Sequence, residues 1–314
     1  MNRVEILLST FNGAKYLDDL ITSIINQDYE HCSLVIRDDR SSDHTIDILH
    51  WWRNALPNRI VLLNEHDAEK LGSAGSFSRL IQYSTADHIM LADQDDVWRP
   101  AKVRETLAAM RLREERVGPL RPIIAHTDLT VVDADLRVLS QSYWRYQGIV
   151  PSRGARFSRM MVENTVRGCT AMLNRALVDA VGSIPAEAGY HDWWIALVAS
   201  ALGDVVLLNE QPILWRRHGS NESEISSIRE VIRRALGNPS GARRRLARLF
   251  EEGGPRVAKF LELYRDKLQP DQVSAAEAFL NLSKRNVFGR RADIIRHELL
   301  FTARLRNAGL LALI

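Results

Sequence analysis

Over its first hundred residues the chain alternates short apolar runs with amphipathic stretches, a rhythm that few folds can absorb. Val4 to Phe11, Ser33 to Arg37, Arg59 to Leu63 and His88 to Ala92 read as strands. Between the first two, Lys15 to Gln27 carries Leu17, Leu20, Ile21, Ile24 and Ile25 at helical spacing. A second helix runs through Trp52, with Ser42 or Asp43 as its cap, and a third covers Ser73 to Ser84. Strands joined by helices of these lengths build βαβ units. The expectation is an α/β domain with a mostly parallel, Rossmann-like central sheet flanked by helices.

Beyond Pro100 the alternation is less regular. A charged helix is predicted over Lys102 to Arg116, and strands over Pro122 to His126 and Leu129 to Asp133. Residues 144–160 read as a loop facing a functional site. Further strands are expected over Val166 to Asn174, Val205 to Leu208 and Ile213 to Trp215, with helices over Arg175 to Val181 and His191 to Ala201. From Glu224 onward the pattern is helical and Arg-rich, with breaks at Gly237-Asn-Pro239 and Glu251-Glu-Gly-Gly-Pro255. We therefore divide the chain into a catalytic domain over 1–222 and a C-terminal helical region over 223–314.

Charge is distributed unevenly across that division. Residues 225–314 hold 18 Lys/Arg against 9 Asp/Glu, while the remainder holds 24 against 30. A basic C-terminal region suits an anionic membrane or a phosphorylated lipid, and equally a solvated helical face. Two cysteines, Cys32 and Cys169, form neither a disulfide framework nor a zinc pattern. No N-terminal signal and no apolar run of about 18 residues is visible, so the expected location is cytoplasmic, peripheral on the inner face of the membrane.

In open sheets of this kind, ligands bind beyond the carboxyl ends of the strands. Three motifs fall at that edge: Asn12-Gly13, Asp38-Asp39 and Asp93-Gln-Asp-Asp-Val-Trp98. Clustered carboxylates repel one another unless a cation sits among them. Hard ions such as Mg²⁺ or Mn²⁺ take oxygen ligands and often share them with substrate phosphates. Each motif alone has a plainer explanation, an Asx-turn or an acidic loop. Together they stand in the order a nucleoside-diphosphate site requires.

Leu8-Ser-Thr-Phe-Asn-Gly13, Arg37-Asp-Asp-Arg-Ser-Ser-Asp-His-Thr45 and Ala92-Asp-Gln-Asp-Asp-Val-Trp98 resemble successive motifs of glycosyltransferase family 2. Arg167-Gly-Cys-Thr-Ala171, His191-Asp-Trp-Trp194 and Arg216-Arg-His-Gly-Ser-Asn221 continue the likeness, which covers roughly residues 4–221. Within the family the chain is similar to bacterial rhamnosyltransferases and related enzymes of surface polysaccharide (O-antigen) synthesis. The resemblance implies a GT-A fold and an inverting transfer from a nucleoside-diphosphate sugar, with dTDP-rhamnose the first expectation. A lipid-linked or polysaccharide acceptor, peripheral contact with an anionic membrane and no nucleic acid complete the implied partners.

It also implies roles for individual residues. Asp192 is the general base. Thr10, Asn12, Asp38 and Asp39 line the base and ribose pocket, and Asp96 touches or backs the donor sugar. Asp93, Asp95 and His218 hold Mn²⁺ or Mg²⁺, with Asp93 also on the donor side. Arg216 and Arg217 neutralise the departing diphosphate. Apart from the resemblance, Trp98, Trp193 and Trp194 suit stacking on the apolar sugar faces of an acceptor, with core packing the commoner use of tryptophan. A partly apolar setting beside the two tryptophans is expected to raise the pKa of Asp192. Arg40 and His44 depart from the family, which commonly has glycine there, so either the backbone avoids positive φ or the base pocket is reshaped.

Two other functions fit parts of the sequence. Ile89 to Val97 also suits a haloacid-dehalogenase-type phosphatase, in which the first Asp is a nucleophile, although that class carries the motif on its first strand. A non-catalytic glycan- or lipid-binding homologue is the other.

Overall fold

The computed structural model describes residues 3–63, 69–219 and 227–314. Ser220 and Asn221 of the last motif, the 222/223 boundary and Glu224 lie outside them. β1 (Val4–Thr10), α1 (Ala14–Ile25), β2 (Cys32–Asp38), α2 (Thr45–Ala55), β3 (Ile60–Leu62), α3 (Gly72–Tyr83) and β4 (His88–Ala92) follow the predicted alternation. Next come β5 (Val97–Trp98), α4 (Lys102–Val117), β6 (Ile123–Thr127), β7 (Thr130–Val132), β8 (Val138–Ser140), α5 (Tyr143–Gln147) and α6 (Phe157–Val162). The chain continues through β9 (Ala171–Asn174), α7 (Arg175–Val181), α8 (His191–Leu202), β10 (Asp204–Leu208) and β11 (Ile213–Arg216). The C-terminal helices are α9 (Ile228–Gly237), α10 (Pro239–Tyr264), α11 (Pro270–Asn281), α12 (Val287–Arg296) and α13 (Arg304–Leu313).

The larger sheet has the strand order β10-β6-β9-β4-β1-β2-β3. Its β1–β2, β2–β3, β1–β4 and β10–β6 pairs are parallel, and only β9 runs antiparallel to both its neighbours. From β1 the chain winds outward through β2 and β3, then returns to lay β4 on the other side of β1. That reversal opens a crevice at the carboxyl ends of β1 and β4, the place where such sheets bind ligands. A smaller sheet, β5-β11-β7-β8, pairs β11 with the short strand after the acidic cluster.

Strand pleating explains the long apolar runs. Val4, Ile6 and Leu8 enter one core while Leu7 enters the other, and β2 and β4 split their side chains in the same way. α1 covers the first face with Leu17, Leu20, Ile21 and Ile24, and α3 covers the second with Phe77, Leu80 and Ile81. The second core also takes Val257 and Phe260 of α10, Phe279 of α11, Ile294 of α12 and Leu310 of α13. The C-terminal helices are thus packed on the sheet domain. Fully burying a side chain such as Phe260 contributes about 1.5–3 kcal/mol.

Three expectations need correction. The break at Glu251 to Pro255 does not occur, because α10 runs 26 residues through Pro255. Packing of Val257, Phe260 and Leu261 outweighs the missing N–H of one proline. The break at Gly237 to Pro239 is present, with Asn238 accepting from the Gly241 N–H. Residues 144–160 are no open loop: α5 and α6 fall there, and Trp144, Phe157 and Met160 are buried in the cores. The strand expected from Val166 begins only at Ala171, after a 3₁₀ turn over Gly168–Thr170.

The loop after β2 answers the question raised by Arg40. Arg40 adopts φ of +67° with its side chain exposed, so the backbone there does enter the left-handed region. A non-glycine residue bears about 1–2 kcal/mol for that conformation. Asp38 holds the turn in place, its Oδ1 accepting from the Ser41 hydroxyl at 2.6 Å and its Oδ2 from the Ser41 N–H at 2.8 Å. His44, with φ of −74°, is unstrained and precedes α2. Asp43 rather than Ser42 supports that helix start, accepting from the Thr45 N–H at 3.0 Å.

Candidate active site

One cavity of about 830 Å³ opens where the carboxyl ends of β1, β2 and β4 meet. Its volume lies within the range of small-molecule sites. Phe11, Asn12 and Asp39 line one part, Asp93, Gln94 and Asp95 another, and Arg167, Gly168, Asp192 and His218 a third. Members of all three sheet-edge motifs and Asp192 therefore face a single space.

The floor is stitched together by Gln94, the middle residue of the acidic motif. Its Oε1 accepts from the Phe11 N–H at 2.9 Å and its Nε2 donates to the Phe11 carbonyl at 3.0 Å. A Cβ on Gly13 would lie 2.3 Å from Gln94 Oε1, so a side chain there would displace the Gln94 amide from Phe11. Asn12, at φ of +49°, joins the β1 and β2 ends by accepting from the Ser42 N–H at 2.8 Å.

Asp39 is fixed from several sides. Its Oδ1 accepts from Arg37 and from the Leu71 N–H, both at 2.7 Å, and its Oδ2 from the Gly72 N–H at 2.8 Å. Burial opposes its charge, but these donors outweigh burial and hold the carboxyl below the usual carboxylate range. Asp38 and Thr10 do not reach the cavity. Thr10 Oγ1 donates to Asp38 Oδ1 at 2.8 Å, and both are buried behind the strand ends. Ser9 of β1 and Phe11 just beyond it face the cavity, as the two-residue period of a strand carried one step further dictates.

At the β4 end, Asp93 and Asp95 line the cavity, and His218 Nε2 sits 2.8 Å from Asp95 Oδ2. Two carboxylates beside an imidazole suit a hard divalent cation such as Mn²⁺ or Mg²⁺. Among the described residues, Asp93, Asp96 and Cys169 also bring potential ligand atoms within 4.8 Å of one another. That trio suits a cation poorly. Burial, and then the neighbouring Asp96 and Asp93 carboxylates, pushes the Cys169 thiol well up, and burial with Asp95 and Asp93 does the same to Asp96. Asp96 is 0% exposed and outside the cavity lining, which agrees with the backing alternative and not with contact; one oxygen accepts from the Arg216 N–H.

Arg216 is likewise withdrawn from any leaving group. Its guanidinium donates to the backbone carbonyls of Asp95 and Ala134 and to Asp19, and lies over Tyr16. It positions the acidic loop. Arg217 bonds Tyr146 and lies outside the cavity lining. Lys15 and Lys70 are the cavity's lysines, and the sequence reading missed both, along with Phe11, whose ring lies under the Lys70 ammonium.

Asp192 stands in the first turn of α8, its Oδ2 accepting from the Gly168 N–H at 3.2 Å. A Cβ on Gly168 would lie 2.9 Å from His191 Nε2, which accounts for glycine there. The surroundings are not simply apolar, for both Arg167 and Arg256 interact electrostatically with Asp192. Burial opposes the charge on Arg167, yet Tyr143 and Asp192 hold its pKa above the ordinary value. His191 is buried against Phe77 and its pKa is lowered by that burial, so the ring is neutral.

None of the three tryptophans lines the cavity. Trp194 is 0% exposed, packed on Phe260 and Tyr264. Trp98 is buried beneath the Lys102 side chain. Trp193 donates from Nε1 to the Met160 carbonyl and lies against Arg256. Core packing, the commoner role of tryptophan, holds all three away from an acceptor.

The fold is that of GT-A enzymes. S. aureus TarS 1–349 in complex with UDP-GlcNAc superposes with a TM-score of 0.55 at 14% identity, covering 99% of this chain and 89% of that one. The mannosyltransferase PcManGT from Pyrobaculum calidifontis, in complex with GDP-Man and Mn²⁺, gives 0.54 at 19%, covering 99% and 79%. In sequence, an uncharacterized glycosyltransferase of Nostoc sp. is 24% identical over 226 residues, 70% of this chain and 66% of that protein. The dTDP-rhamnosyl transferase RfbG of Shigella flexneri is 33% identical over 104 residues, 32% of this chain and 35% of that one. The matches thus span between about a third and two thirds of these relatives' length. The phosphatase alternative fails on topology, since its motif would sit on β4 with three strands before it. Residues 5–182, more than half of the chain, match the family described as glycosyl transferase family 2, and the chain belongs to that family.

Proposed function

We propose that the chain is an inverting glycosyltransferase that moves a sugar from a nucleoside diphosphate to an acceptor in surface-glycan synthesis. The observation that carries this reading is the convergence of Asp39, Asp93, Asp95, His218 and Asp192 on one cavity. The donor's base and ribose lie at the Phe11–Asp39 end, and its diphosphate runs past Lys15 and Lys70. A divalent ion held by Asp93, Asp95 and His218 would offset the charge that builds on the departing diphosphate. Asp192 takes the proton from an acceptor hydroxyl as its oxygen bonds to the anomeric carbon and the bond to the diphosphate breaks. The Gly168 N–H holds the carboxylate in orientation, and no protein nucleophile is needed.

Rhamnose from dTDP-rhamnose is our first choice of donor, supported by the likeness to RfbG. The two structural neighbours carry UDP-GlcNAc and GDP-Man, so the test must span bases and sugars. A thermal-shift screen of nucleoside diphosphates and nucleotide sugars, with and without Mn²⁺, does so. At about 100 times its dissociation constant a ligand adds about 2.7 kcal/mol, a rise of several degrees. Failure of every nucleotide to raise the melting temperature sinks the proposal.

We place the enzyme in the cytoplasm, on the inner face of the membrane, acting on a lipid-linked or polysaccharide acceptor. A glucosyltransferase acting on diphosphoundecaprenol-linked GlcNAc is among the relatives. α9 and the start of α10 expose Arg229, Arg233, Arg234, Arg243, Arg244 and Arg245 beside the apolar Val231 and Leu236. Such a surface suits anionic lipid. The protein is expected to sediment with phosphatidylglycerol vesicles and not with phosphatidylcholine ones; equal recovery with both removes the membrane from this account.

A further inference from the structure

We propose that Arg167 and Tyr190, which flank Asp192 on the cavity wall, form the acceptor end of the site and select a sugar that carries an oxyanion. The proposal deepens the reading of Asp192 as general base and rests on it.

The two residues are brought to the base by one backbone contact. The Gly168 N–H donates to Asp192 Oδ2 at 3.2 Å, and a Cβ on Gly168 would lie 3.4 Å from the Asp192 Cβ. Arg167 immediately precedes that glycine, and Tyr190 stands two residues before Asp192, just ahead of α8. All three side chains line the cavity. A base lies within hydrogen-bond reach of the proton it takes, so a molecule presenting that hydroxyl rests against the neighbours of Asp192 as well.

Arg167 is held still, yet its charge is not neutralised by contact. Its carbonyl accepts from the Thr170 N–H at 2.9 Å and from the Thr170 hydroxyl at 2.7 Å. From its side chain, Nε donates to the Tyr143 hydroxyl at 2.7 Å, and Nη2 donates to the same oxygen. Tyr143 is itself buried, with its ring edge-on to Trp215. Asp192 favours the Arg167 charge without bonding to it. Among the described residues no carboxylate forms an ion pair with Arg167, and Nη1 has no hydrogen-bond partner. A guanidinium fixed along one edge and open to a cavity along the other suits a phosphate or carboxylate, which it grips as a planar fork. Lys15 and Lys70 are assigned to the donor's diphosphate, so an anion site beside the base calls for an acid on the acceptor.

Tyr190 supplies the flat surface. Of the Phe, Tyr and Trp rings that line the cavity, Phe11 is 41% exposed and Tyr190 47%, whereas Tyr16, Phe77 and Trp215 are at most 9% exposed. Phe11 lies under Lys70 at the nucleotide end, which leaves Tyr190 as the open ring beside Asp192. Gly189, at φ of +71°, turns the chain just before it. The Tyr190 N–H donates to the Ala188 carbonyl at 2.9 Å, and its carbonyl accepts from the Trp194 N–H at 3.2 Å. The backbone is thus fixed and the ring free, a platform for the C–H face of a sugar. Trp98, Trp193 and Trp194 cannot serve in this way from their places outside the cavity.

The probes are α-D-glucose 1-phosphate, D-glucuronate and the neutral methyl α-D-glucopyranoside. Their dissociation constants are read by saturation-transfer NMR on the full chain, with Mg²⁺ and a saturating nucleoside diphosphate to keep phosphate out of the donor end. At least one acidic probe is expected to bind about tenfold or more tighter than the neutral glycoside, the ratio a charge-assisted hydrogen bond provides. Preference for one acid over the other identifies which of them the acceptor carries. Arg167→Gln should abolish the preference and leave the neutral glycoside unaffected; Arg167→Met answers the same question if the first variant does not fold. Tyr190→Ala should weaken every probe by about two- to tenfold, and Tyr190→Phe should not. Equal or undetectable binding of all the probes, or a preference that survives loss of the guanidinium, overturns the proposal. So does a Tyr190→Ala protein that binds them as wild type does. If no nucleotide binds, the proposed function falls, but the same comparison without nucleotide still reads Arg167, so the two failures are distinguishable.

Discussion

Asp192→Asn is expected to lower sugar transfer by about 10²–10⁴-fold while leaving nucleotide binding intact. The amide keeps nearly the same shape, and its oxygen still accepts from the Gly168 N–H at the start of α8. What disappears is the basic oxygen that receives the acceptor proton. Asn keeps the polar bulk of the side chain, and none of the hydrogen bonds that fix Asp39 involves Asp192, so nucleotide binding is expected to persist. Transfer assays together with the nucleotide-induced thermal shift check both halves. Transfer within tenfold of wild type would remove Asp192 as the base, and full function in a strain carrying only the variant would favour a non-catalytic homologue.

Asp39→Ala is expected to cost about 3–5 kcal/mol of stability, because it removes one partner of a buried ion pair. The side chains of Arg37 and Asp39 are 1% and 4% exposed, and the pair is 2.7 Å apart. Removing the carboxylate also leaves the Leu71 and Gly72 N–H groups without their acceptor. Urea unfolding measures the loss; a change below about 1 kcal/mol contradicts the ion-pair account. Replacing both partners by apolar residues should recover part of it, since the guanidinium no longer has to be buried. The sign with pH follows from the direction of the shift. The folded pKa lies below the unfolded value of about 3.9, so the contribution is complete above that value. It is lost as pH falls through the lower folded pKa. Loss of nucleotide binding in Asp39→Ala would therefore mix contact with collapse, and Asp39→Asn is the milder probe.

Much of the fold was legible because β1, β2 and β4 are buried on both faces and read as unbroken apolar runs. β5 and β8 are too short, at two and three residues, to leave a periodic signal. β9 was misjudged at its start because Arg167 to Thr170 continues the sequence pattern while turning in space. Pro255 misled for a different reason: local propensity is weak against the apolar side chains that α10 buries two turns around it.

The motifs located the site, and their individual members were harder to rank. Asp38 and Asp39 are adjacent and chemically identical, yet one binds a turn and the other faces the cavity. Strand alternation alone could have excluded Thr10 in favour of Ser9 and Phe11. The roles of Asp96, Arg216 and Trp194 depend on burial by distant segments, which no local pattern encodes. Lys15, Lys70 and Tyr190 carried no motif at all; their importance arises only when the sheet edge and the start of α8 close around them.

The Gln94 amide, which exchanges two hydrogen bonds with the peptide of Phe11, has a mechanical consequence. The Phe11 peptide and the residue between Asp93 and Asp95 are tied across the ends of two strands. A shift of the Phe11 backbone would break both bonds or carry the acidic loop with it. The two strand ends that frame the crevice are thereby kept in register by one side chain.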